Sequence, residues 1–107
     1  MPIVEMRTEK TENISKNFMK FRTEIFYAAE KIIKDYYADV FKMSPGDIMV
    51  TNLSPYDIDI DVKFLNTDIP KKRLKDHLRR VTKNIAQGLP TLYNKCINNI
   101  KMTAAIK

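Results

Sequence analysis

The sequence predicts one α/β domain over residues 1–107, built from two tandem β-α-β units whose four strands form one sheet with both helices on one face. Three observations predict it. Residues 57–64 alternate strictly, with Asp57, Asp59, Asp61 and Lys63 on one face and Ile58, Ile60, Val62 and Phe64 on the other, the period of a half-buried strand. Two stretches, 14–36 and 74–85, repeat apolar residues every three or four positions, the period of a helix face. And 107 residues that are 44% hydrophobic and 30% charged suffice for one core but not for two ordinary domains.

In chain order, Ile3, Val4 and Met6 give residues 3–8 strand character, and residues 9–13 read as a polar turn. Ile14, Phe18, Phe21, Ile25, Ala28, Ile32 and Tyr36 then mark one side of a helix of about six turns. Phe26, Ala29, Ile33 and Tyr37 widen its stripe, so this helix lies flat on a sheet or also packs on a second chain. Ser44-Pro45-Gly46-Asp47 is a turn: proline presets φ and glycine relieves a left-handed position. Residues 48–53 form the next strand, broken at Pro55, and 57–64 the one after. Pro70 opens a second helix, on which Leu74, Leu78, Val81 and Ile85 share a face, and Gly88 and Pro90 close it. Residues 91–99 fit a short helix or a loop, and 100–106 a last strand. Val4 and Met6 find counterparts in Ile58 and Ile60, and Ile48 and Val50 in Ile100 and Met102. This faint repeat divides the chain into units at 2–54 and 57–106, each expected to pair its strands in parallel.

Composition narrows the chemistry. One cysteine, Cys96, excludes an internal disulfide and points to a reducing, cytoplasmic setting. Cys96 and His77 do not make a four-ligand zinc site, and His77 is expected to be exposed and inert. No metal or cofactor is expected. No apolar run reaches the ~20 residues of a membrane span, and no secretory leader is visible. The charge is +6 and uneven: residues 71–83 hold Lys71, Lys72, Arg73, Lys75, Arg79, Arg80 and Lys83 against the single acid Asp76. The aspartates of 57–61 read as a solvated strand face or a partner for lysines.

The opening Pro2-Ile3-Val4-Glu5-Met6 and the later Ser44-Pro45-Gly46-Asp47-Ile48-Met49-Val50 resemble the tautomerase superfamily, the group of 4-oxalocrotonate tautomerase and macrophage migration inhibitory factor. The resemblance implies removal of Met1, a trimer, and the secondary amine of Pro2 as general base on a small anionic carbonyl or enol substrate. A buried amine beside cations is depressed toward neutral pH, as such a base requires. Arg7, Lys42 and Lys101 are then candidates to hold the anion, with Lys63 as a further cation. Tyr37 or Tyr56 would donate a hydrogen bond to developing negative charge. The chain departs from the pattern where the family carries a carboxylate-binding arginine on the strand after the first helix: the comparable position is about Met49.

The same order of elements also fits a ferredoxin-like binding module. On that alternative the chain is not an enzyme, and the basic helix at 71–83 contacts nucleic acid or a protein partner.

Overall fold

The computed structural model describes residues 2–102, with side chains described from 21 to 102. Its elements are α1 (Pro2–Phe41), a 3-10 turn (Pro45–Asp47), β1 (Ile48–Asn52), β2 (Ile58–Phe64), α2 (Lys71–Asp76), α3 (Leu78–Gly88), α4 (Thr91–Cys96) and β3 (Ile97–Lys101). The chain is mixed α/β, as expected, but among the described residues the sheet has three strands in the order β1-β2-β3.

The strand expected at 3–8 and the turn expected at 9–13 are instead the first turns of α1. The reason lies in what the segment lacks. No glycine or proline stands between Ile3 and Phe41, so nothing stops a helix begun at Pro2, a residue suited to a first helical position. Against this, the β-branched pair Ile3-Val4 is a small local preference.

Losing that strand changes the first unit. β1 pairs with β2 as an antiparallel hairpin, Val50 opposite Val62 and Asn52 opposite Ile60, rather than with a preceding parallel strand. Asn52 shapes the connection: its side-chain oxygen accepts from the amides of Ser54 and Asp59, and its amide donates to the Asp57 carbonyl. The Arg22 guanidinium, reaching from α1, donates to the carbonyls of Ser54 and Asp57 and ties the loop down.

The second unit follows the sequence reading. β2 and β3 are parallel, joined through α2, α3 and α4, with Ile60 beside Ile100 and Asp61 beside Lys101. β3 starts earlier than expected, at Ile97, because α4 ends directly in the strand. The remainder of the expected strand beyond residue 102 lies outside the described residues.

The core is one layer between helices and sheet. Ile25, Ala29, Ile33 and Tyr37 of α1, Leu74 of α2, and Val81 and Ile85 of α3 pack with Ile58, Ile60, Val62 and Phe64 of β2. The α1 row against the sheet is therefore the i, i+4 series 25-29-33-37. Ile32 and Tyr36, expected on the primary face, are half-buried. Ile32 lies where α3 ends: a Cβ on Gly88 would stand 3.0 Å from its Cδ1, so a larger residue there requires Ile32 to give way. Among the described residues no helix is long and apolar enough to cross a membrane.

Candidate nucleic-acid interface

α2 and α3 are nearly one helix. Leu74, Val81 and Ile85 are buried, and the backbone bends only at His77, which remains in the right-handed helical region. His77 is held, contrary to the expectation of an exposed, inert residue. It is half-buried, its Nδ1 lies 2.6 Å from the Tyr36 hydroxyl, and its ring meets Phe41 edge-to-face at 4.9 Å. Next to it the Arg73 guanidinium sits 5.5 Å from the centre of the Phe41 ring, a cation–π contact. Tyr37 completes the joint by donating its hydroxyl to the Leu74 carbonyl at 2.7 Å. These contacts fix α2 and α3 against the end of α1 and so fix which way their outer face points.

That outer face is basic. All seven cations of residues 71–83 are exposed. Lys72, Lys75, Arg79 and Lys83 recur at spacings of three, four and four, so they form one ridge about 16 Å long. No ion pair among the described residues joins these four. Ion pairs among the described residues include Lys34–Glu30, Lys42–Asp39 and Lys63–Asp61. Seven cations against Asp76 make a surplus equal to the chain's whole +6, so the remaining residues hold twelve charges of each sign. Neither α2 nor α3 has an acid in its first turn.

The described residues expected at an enzyme site lie in different surroundings. Pro2 and Arg7 lie in the first turns of α1, where side chains are not described. Tyr37 is fully buried, its hydroxyl committed to Leu74; burial, with neighbouring Tyr36 adding, pushes its phenol well above the ordinary tyrosine range. Lys42 follows the last turn of α1 with φ 54°, a left-handed position that ends the helix, and its Nζ lies 3.8 Å from Asp39. Lys101 is exposed on β3 beside Asp61, on the sheet face away from Tyr37. Tyr56 is exposed on the β1–β2 connection.

No group of three metal-binding side chains occurs among the described residues, the aspartates of the outer sheet face included. Asp61 is buried, against expectation, with Lys63 Nζ 4.0 Å away, and Asp59 accepts from the Asn98 amide. Cys96 is half-buried against the Leu92 carbonyl.

Sequence reasoning missed Asn94. Its side-chain amide lies 3.0–3.3 Å from the carbonyls of Ala86, Leu89 and Pro90, closing the C-terminal end of α3 and joining it to α4. The available signal was an asparagine just past Gly88 and Pro90, where carbonyls lose their helical partners. No family model, no curated protein and no solved structure matches this chain.

Proposed function

We propose that this protein binds nucleic acid through the phosphate backbone, with the ridge Lys72, Lys75, Arg79 and Lys83 making the principal contacts and Lys71, Arg73 and Arg80 flanking it. The observation that carries this reading is the concentration of the chain's entire surplus charge on the exposed surface of one helical segment, residues 71–83. Helix stability gives no reason for it. Cations in the first turn of α2 oppose the macrodipole at about 0.3–1 kcal/mol each, and like charges at i, i+4 repel. A polyanion offsets both costs. Over ~16 Å a duplex presents about nine phosphates, enough for every cation of the ridge. No tryptophan, tyrosine or phenylalanine lies between Lys71 and Gly88, so the face has no platform for stacking bases, and binding tolerates sequence.

The test is a salt titration of binding to a short duplex. Four phosphate contacts give a slope of log K against log salt near −3.6, or roughly a hundredfold loss between 50 and 200 mM. A slope near zero would sink the reading.

A second reading rests on Pro2 directly behind Met1: a tautomerase-like general base in a four-stranded, trimeric assembly. It requires a free proline amine in a substrate pocket, whereas residues 2–41 are helical. Intact mass tests it first, since retained Met1 blocks the amine. A Pro2→Ala control in a phenylpyruvate enol–keto assay tests it next.

A further inference from the structure

β3 is an edge strand. In the order β1-β2-β3 its inner side pairs with β2, and among the described residues nothing pairs with its outer side. Beside that edge runs a cleft of about 300 Å³. α3 contributes Thr82, Ile85 and Ala86 to it, α4 contributes Asn94, and β3 contributes all four residues 97–100. A groove between a sheet edge and a helix is the geometry by which an extended peptide adds as a further strand: backbone pairing supplies affinity and alternate side chains enter the groove. Here Ile85, Ala86, Ile97 and Ile100 offer an apolar floor for one such side chain, with asparagine amides around it. Unlike many protected edges, Ile97–Ile100 carries no charge and no proline.

The charge of the wall selects the occupant. Lys75, Arg79, Thr82 and Ala86 recur at spacings of four, three and four and so share one side of the α2–α3 helix. Thr82 and Ala86 line the cleft, so Lys75 and Arg79 extend the same wall past the Ile100 end of β3. A second copy docking β3 on β3 would bring a second basic α3 alongside the first, which like-charge repulsion disfavours. We infer that the β3–α3 cleft binds an extended peptide segment of about five residues, apolar at the position entering the cleft and acidic where it passes Lys75 and Arg79, added to the sheet as a fourth strand. This site does not rest on the nucleic-acid reading, although it shares Lys75 and Arg79 with the ridge.

The experiment uses the full chain and two synthetic hexapeptides, one alternating valine with glutamate and one alternating valine with lysine, followed by backbone amide NMR. The glutamate peptide is expected to shift resonances of residues 97–101 and 82–86 and to bind at least about tenfold more tightly than the lysine peptide. An N-methylated glutamate peptide, unable to pair along a strand, should lose binding. Ala86 is exposed, so Ala86→Phe narrows the cleft without touching the core. It should weaken the peptide about tenfold and leave duplex affinity within about twofold. Equal binding of both peptides, unchanged binding after N-methylation, or shifts confined to the lysine and arginine ridge would overturn the inference. So would dimerisation through β3 in the absence of peptide. Duplex binding that fails while the glutamate peptide still binds would overturn the nucleic-acid proposal alone.

Discussion

Two helical layers cover the same sheet face, and their outer surfaces differ in kind. Over residues 21–41, α1 carries Arg22, Lys31 and Lys34 against Glu24, Glu30, Asp35 and Asp39, signs interspersed, with Lys34 and Glu30 paired one turn apart. Over residues 71–83, α2 and α3 carry seven cations and one acid. Both layers bury the same kind of apolar row, Ile25-Ala29-Ile33-Tyr37 in one and Leu74-Val81-Ile85 in the other. Burial therefore does not distinguish them, and the difference lies only in what faces water. A mixed surface satisfies itself, whereas a one-signed surface repels itself and would gain from a polyanion.

The sharpest break between the two is a double dissociation. Ile33→Ala in α1 should cost about 2–5 kcal/mol of stability, read by denaturant unfolding, because a fully buried side chain leaves a cavity. In whatever fraction stays folded, duplex affinity should be unchanged. The triple change Lys72→Ala, Arg79→Ala, Lys83→Ala should do the reverse. Stability should stay within about 0.5 kcal/mol, while the salt slope falls by about 2.7 and affinity at low salt by two or more orders of magnitude. Equal loss of binding on changing exposed Lys31 in α1 would show that net charge alone matters, and the comparison would collapse.

A smaller effect concerns the contact that joins the layers. Tyr37→Phe removes the hydroxyl's bond to the Leu74 carbonyl, which keeps the His77 amide, at a cost of about 0.5–1.5 kcal/mol at neutral pH. The pH dependence has a definite sign. Tyr37 is held neutral in the folded chain above the ordinary tyrosine pKa, so above about pH 10 the unfolded chain releases a proton that the folded chain keeps. Its contribution is full below that pH and is lost as pH rises further. Alkaline unfolding should therefore be less steep in Tyr37→Phe than in the parent. An identical steepness would mean that Tyr37 ionises as freely folded as unfolded.

The legibility of the chain follows the same division. The strand at 58–64 and the helix through Leu74, Val81 and Ile85 were readable because each places apolar residues at a single clear period and faces one core. The start of α1 was misread because two β-branched residues, Ile3 and Val4, outweighed a long absence of helix breakers. β3 was misplaced because Ile97-Asn98-Asn99-Ile100 does not alternate: the pairing shifts register between Ile58 and Asp59, so two isoleucines three apart both turn inward. The antiparallel pairing of β1 with β2 depended on which strand was missing elsewhere, a long-range fact no local pattern carries. The basic ridge was visible in full. The Tyr36–His77 contact and the Asn94 cap were not, since each joins residues brought together only by folding.

The smallest expected effect separates the two surfaces by sign alone. The Lys34–Glu30 pair is attractive and partly exposed, worth about 0.3–0.5 kcal/mol, and salt screens it, so Lys34→Ala should lose less stability in high salt than in low. On the ridge, Lys75 and Arg79, and Arg79 and Lys83, are like charges one turn apart, repelling by about 0.2–0.5 kcal/mol a pair. Arg79→Ala should therefore leave stability unchanged or slightly raised in low salt, and that gain should vanish as salt is added. Paired unfolding curves of the two variants at 0.05 and 0.5 M salt give the comparison directly. If both variants shift in the same direction with salt, the ridge is balanced by charges elsewhere in the chain, and its surplus no longer calls for a polyanionic partner.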